Sequence, residues 1–142
     1  MRLALASDHA GYRLKQELAA ELRRQGHAVE DLGPESEAAV DYPDYARRVG
    51  ERVRAGAAER GVLVCGSGIG MAMAANRLSG VRAANIYSEE SARLSREHND
   101  ANVITLGARL LTAAAAVAAL EVWLATPFLG GRHAARVAKI ET

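Results

Sequence analysis

The sequence predicts an α/β fold, a five-stranded parallel sheet with helices on both faces. Short apolar runs alternate along the whole chain with segments whose apolar residues recur at helical spacing, which implies right-handed βαβ crossovers. The run from Val62 to Asn76 passes from a short apolar strand, through a turn of alternating glycines, into an Ala- and Met-rich helix former. At 142 residues the chain fits one domain with a sizeable core, and it shows no internal repeat or linker-like segment.

Each element can be justified in turn. Arg2–Ser7 alternates and reads as β1, and Asp8-His9-Ala10-Gly11 turns the chain. From Tyr12 to Gln25, Leu14, Leu18, Ala19 and Leu22 fall at helical spacing and give α1, with Gly26 as its stop. His27–Leu32 reads as β2 and Gly33–Glu37 as a polar loop. Asp41-Tyr42-Pro43 starts α2, with Tyr42 pushed extended by Pro43, and Tyr45, Val49 and Val53 line one helix face. Gly61–Val64 is β3, followed by the glycine turn and α3, the helix former that ends at Asn76. Val81–Ile86 reads as β4 and Ser88–Glu97 as α4, with Ser88 as N-cap. His98–Asn102 is a polar turn before β5 at Val103–Leu106, which Gly107-Ala108-Arg109 ends. Thr112 caps α5 through Leu124, Pro127–Gly131 breaks it, and Arg132–Ile140 forms a short α6.

Five such strands suggest an order such as 2-1-3-4-5, a Rossmann-like three-layer sandwich over residues 1–142. Ligands bind such sheets beyond the strand carboxyl ends, at the switch point between β1 and β3. Asp8-His9 and Cys65-Gly66-Ser67 should therefore be neighbours.

Composition excludes several classes. The net charge is +1, so nothing global suggests nucleic acid or an anionic membrane. The single cysteine excludes an internal disulfide framework and suits a reducing cytoplasm. The N-terminal apolar run is too short for a signal peptide, and Ala113–Ala125 is too short to span a bilayer.

The candidate chemistry centres on Cys65-Gly66-Ser67-Gly68-Ile69-Gly70. Glycines there allow positive φ and close backbone approach, and free N–H groups at a helix start attract anions. The spacing is neither the dinucleotide fingerprint nor a P-loop. A lone cysteine at a strand end is more often an inert buried residue, and that reading weakens only because Asp8 and His9 should converge on it. Asp8 and His9 themselves are either turn chemistry or ligands at the switch point.

His98 raises a sharper question. The α4–β5 turn lies at the amino ends of the strands, the wrong edge for Cys65. His98-Asn99-Asp100 is thus a capping cluster, or it reaches a Cys65 site only from a second subunit. Arg132 and Arg136 share one helix face and are either a solvated tail or a phosphate clamp. Arg109, at the end of β5, fits either role. Tyr42 is packing, or its hydroxyl lies near a bound sugar.

Ser7-Asp8-His9-Ala10-Gly11, Asp41-Tyr42-Pro43, Cys65-Gly66-Ser67-Gly68-Ile69-Gly70, His98-Asn99-Asp100-Ala101-Asn102 and Gly130-Gly131-Arg132-His133 occur together and in order. With these five motifs in register the chain resembles the type B ribose-5-phosphate isomerases, in the family that also holds galactose-6-phosphate and allose-6-phosphate isomerase subunits. The resemblance implies a cytoplasmic aldose–ketose isomerase of the pentose phosphate pathway that interconverts ribose 5-phosphate and ribulose 5-phosphate without metal or organic cofactor. A six-carbon sugar phosphate is the alternative substrate, and a non-catalytic sugar-phosphate module the alternative class.

The resemblance further implies Cys65 as the base, Ser67 as a handler of hydroxyl protons and His98 as the ring-opening acid. Backbone N–H groups from Gly66 through Ser67, Gly68 and Ile69 to Gly70 would hold the enediolate. Asp8, His9 and Asn99 match sugar-binding positions. Arg109, Arg132 and Arg136 match substrate-binding positions, chiefly for the phosphate. It implies a homodimer with a composite active site, or a tetramer built from it, the tail from about residue 127 to 142 contributing to the dimer and the phosphate site.

Overall fold

A computed structural model describes residues 1–141, and Thr142, the last residue of the expected tail, lies outside the described residues. The elements are β1 (Arg2–Ser7), α1 (Tyr12–Arg24), β2 (Ala28–Asp31), α2 (Tyr42–Arg54), β3 (Arg60–Cys65), α3 (Ile69–Ala75), β4 (Ala83–Asn85), α4 (Glu89–Glu97), β5 (Val103–Gly107), α5 (Ala113–Ala125) and α6 (Arg132–Ile140). The five strands form one sheet, and every pair in it is parallel.

The strand order is 2-1-3-5-4 rather than 2-1-3-4-5. β5 pairs with β3, and the three-residue β4 lies at the sheet edge. The expected order assumed that successive strands simply add outward. Here the β4–α4–β5 crossover runs back toward the middle of the sheet. A right-handed crossover that reverses direction puts its helix on the opposite face. Accordingly Ala92 of α4 packs with Leu14, Leu18 and Leu22 of α1 and with Ala116, Leu120 and Trp123 of α5. The other face carries Ala46 and Val49 of α2 with Met71 and Ala75 of α3.

The central strands read as continuous apolar runs because both sheet faces are covered. Leu3, Leu5, Val62, Val64, Ile104 and Leu106 point to the α1 face, and Ala4, Ala6, Leu63, Cys65 and Val103 to the α2 face. Burying each large aliphatic side chain stabilises the fold by about 1.5–3 kcal/mol. The switch point falls between β1 and β3, which pair directly while β2 lies on the far side of β1.

Two local details differ from expectation. The extended residue before Pro43 is Asp41, the N-cap of α2 at φ −91° and ψ 121°, whereas Tyr42 is already helical. Pro43 thus sits in the first turn, where its missing N–H costs no helix bond. Strand β4 is also shorter than the apolar run Val81–Ile86, and on its outer edge the side chain of Asn76 takes the backbone N–H and C=O of Ala83 at 2.7 and 2.9 Å.

Candidate active site

Cys65 is the last residue of β3 and is 5% exposed. The backbone N–H of Gly68 donates to its Sγ at 3.1 Å. Ser67 Oγ accepts from the N–H of Ile69 at 3.2 Å. Two of the turn's donors are therefore engaged by the turn's own thiol and hydroxyl. Gly68 has φ +81° as the N-cap of α3, and a side chain there would strike Asn85 Oδ1 and the backbone of Leu106. Only glycine fits that left-handed position.

The β1–α1 turn packs directly beside this one. Asp8 N–H donates to Val64 C=O at 3.1 Å, and Asp8 Oδ1 accepts from Gly11 N–H at 3.0 Å. A Cβ on Gly11 would lie 2.5 Å from Val64 O, so the close approach of the two turns depends on that glycine. His9 is exposed, and its Nδ1 accepts from Val40 N–H at 3.2 Å. The Arg109 guanidinium lies against Gly66, since a Cβ there would sit 2.9 Å from Arg109 Nη1. The Tyr42 ring covers Gly70 in the same way, 2.7 Å from a notional Cβ. A cavity of about 610 Å³ opens beside the turn, lined by Tyr42, Arg47, Gly70, Met73 and Arg77 among others. Asp8, His9, Tyr42, the stretch from Cys65 to Gly70 and Arg109 are thus gathered at one end of the sheet.

His98, Asn99, Arg132 and Arg136 lie elsewhere. His98 is the C-cap of α4, ahead of β5, whereas Cys65 pairs with Gly107 at the far end of that strand. Four residue steps separate Val103 from Gly107, about 13 Å of strand at roughly 3.3 Å per residue. Within one chain the two groups cannot act on the same carbon atoms. At the amino edge the His98 ring stacks on His133, with centroids 4.4 Å apart and planes 15° from parallel. Arg132 and Arg136 are exposed on the helix that His133 anchors. His133 is itself buried, and its pKa lies below the ordinary value, first through burial and then through His98, Arg132 and Arg136. Among the described residues no group of three or more His, Cys, Asp or Glu could hold a metal ion, and no helix is long and apolar enough to cross a membrane.

Three supporting residues have little or no signal in the sequence pattern. His133 shows only as the neighbour of Arg132, and its stacking on His98 is a tertiary fact. Val40 acts through its backbone, which any residue could supply. Lys15, on the buried face of α1, is 1% exposed, and its ammonium donates to both oxygens of Asp31 at 2.7 and 2.9 Å and to Pro34 C=O at 2.8 Å. That anchor starts the loop on which Val40 meets His9. A charged residue at an apolar helix position, with an acid at the end of the next strand, was the available clue.

A parallel α/β sheet with a glycine turn, a thiol, a carboxylate and an imidazole at its switch point defines a small-molecule site of the kind found in α/β enzymes. The chain belongs to the Ribose/Galactose Isomerase family, whose pattern it matches over residues 3–140. It is 40% identical over 139 residues to ribose-5-phosphate isomerase B of Escherichia coli, covering 98% of this chain and 93% of the relative. It superposes on ribose-5-phosphate isomerase B of Clostridium thermocellum with a TM-score of 0.99 at 45% identity, covering 99% of this chain and 95% of the other. The Mycoplasma genitalium ribose-5-phosphate isomerase B with bound ribulose-5-phosphate matches with a TM-score of 0.95 at 39% identity, covering 99% and 93% of the two chains.

Proposed function

We infer that this chain interconverts ribose 5-phosphate and ribulose 5-phosphate by proton transfer through a cis-enediolate. The observation that carries the reading is the Cys65 thiol at the switch point, held by Gly68 N–H and flanked by the Asp8–Gly11 turn. The relative crystallised with ribulose-5-phosphate supports the choice of substrate.

In the open-chain aldose, Cys65 in its thiolate form takes the C2 proton. The C2–H electron pair forms the C1–C2 double bond, and charge passes to the carbonyl oxygen on C1. The N–H groups of residues 66–70 not spent on Sγ and Ser67 Oγ remain to hold that oxygen, and Gly68 N–H holds the sulfur. Preorganised donors of this kind contribute most where charge develops. Ser67 passes the hydroxyl proton between O2 and O1, and Cys65 returns its proton to C1 on the same face. Asp8, His9 and Asn99 bind sugar hydroxyls, with Tyr42 beside them. Arg109, Arg132 and Arg136 bind the substrate, chiefly its phosphate, so that remote binding energy positions the reacting carbons. His98 acts as the acid that opens the furanose ring.

Because His98, Asn99, Arg132 and Arg136 lie at the opposite sheet edge from Cys65, the working site is formed between two copies, as a homodimer. Exposed Ile69, Met73 and Tyr42 beside the glycine turn supply an apolar surface for that contact. A tetramer would pair two such dimers. The lone Cys65 thiol suits the reducing cytoplasm. The deciding assay compares ribose 5-phosphate with allose 6-phosphate. Higher kcat/KM for the pentose is expected, and equal or better turnover of the hexose would overturn the substrate assignment.

A further inference from the structure

The basic helix α6 lies on the surface of the protein. Of its residues only His133 is buried. Three residues ahead of the helix, Leu129 N–H donates to Glu97 C=O at 3.2 Å. Its far end passes over a cavity of about 550 Å³ lined by Leu78, Val81, Asn99 and Ile140 among others, and Ile140 is 57% exposed. Apolar packing therefore does little to fix that end.

A polar clamp stands in its place. Glu141 Oε1 accepts from Arg82 Nη1 at 2.8 Å, and Oε2 accepts from Gly80 N–H at 2.8 Å. The same Arg82 reaches the His98 turn, where Nε donates to Asp100 C=O at 2.9 Å and Nη2 lies 3.4 Å from Asp100 Oδ2. Asp100 has φ +47°, unusual for a residue with a side chain, and its Oδ1 also accepts from Arg96 Nη1 at 2.8 Å. One guanidinium thus ties the turn that carries His98 and Asn99 to the end of the helix that carries Arg132 and Arg136. Arg82 and Asp100 are half-buried, which preserves more of their interaction than full exposure would, while Glu141 is exposed and reaches in from the surface.

We propose that Arg82 and Glu141 form a latch that fixes α6 against the His98 turn, making both of them positioning residues for the phosphate end of the substrate. The latch rests on the functional reading only in what α6 is held in place to bind.

The test is Glu141→Ala beside Glu141→Gln, which keeps an acceptor but loses the charge. Hydrogen exchange of residues 132–140 should quicken by about tenfold in Glu141→Ala and by less in Glu141→Gln, with the sheet unchanged. KM for ribose 5-phosphate should rise about fivefold with kcat within about twofold, because uniform binding is lost and the chemistry is not. Competitive inhibition by inorganic phosphate should weaken in step. Unchanged exchange in α6 would overturn the latch. Faster exchange with an unchanged KM, or a fall in kcat at constant KM, would overturn the positioning role. Failure of the unaltered chain to isomerise ribose 5-phosphate would overturn the functional reading instead, and the exchange measurement would still decide whether the latch exists.

Discussion

At the scale of single residues, two positions carry sharply different consequences. Cys65 touches few polar groups beyond Gly68 N–H, so its removal leaves a small cavity and an intact fold. Cys65→Ala should lower isomerisation by about a thousandfold, the loss expected for a general base. Exchange of the C2 proton with deuterated water should disappear with it, and exchange that survives would show that another group is the base. Gly68 is structural. Its positive φ and the closeness of Asn85 and Leu106 leave no room for a side chain. Gly68→Ala should cost about 1–3 kcal/mol in denaturant unfolding through backbone strain and overpacking. Activity should fall as well, because the Cys65 donor is the N–H of that residue.

At the scale of elements, α6 is the informative one. His133 is its anchor, and burial, then His98 and the flanking arginines, hold its pKa below the ordinary 6.5. Such a base is protonated first in the unfolded chain. Stability from this group is therefore full above about pH 6.5 and declines as the pH falls through that value toward the folded pKa. Unfolding free energies measured across that range should show the decline, and His133→Gln should flatten it. Because Arg132 and Arg136, the proposed phosphate ligands, flank this imidazole, added phosphate should also flatten it by favouring the imidazolium. A decline unaffected by the substitution would assign the pH dependence to other groups.

At the scale of the whole molecule, the two groups of proposed site residues stand at opposite sheet edges, and the proposed homodimer brings them together across an interface. In mixed dimers of Cys65→Ala and His98→Ala chains, one site of the two has both residues intact. Free exchange of equal amounts makes about half of the dimers mixed, so activity should recover to about a quarter of the unaltered level by symmetry counting. Activity in verified mixed dimers no greater than in either parent would show that the site is not shared.

The sequence by itself determined the α/β class, the parallel sheet, nearly every element and the pairing of the Asp8 and Cys65 turns. These follow from local periodicity and glycine chemistry, and from the rule that the switch point gathers the loops after β1 and β3. The wrong-edge position of His98 was legible for the same reason, since chain direction alone decides at which strand end a loop lies. Strand order beyond β3 was not legible. Whether β4 or β5 pairs with β3 depends on which edges and helix faces bury most together, and no local pattern records that sum. The His98–His133 stack and the Arg82–Glu141 latch were hidden, because each joins residues far apart in the chain, and the Lys15 anchor under the β2–α2 loop left only the clue of a charge at an apolar helix position. Around Cys65 the tertiary structure also decided how the turn's N–H groups are shared: the thiol takes that of Gly68 and the Ser67 hydroxyl that of Ile69, so the cradle read from the glycines is already partly filled.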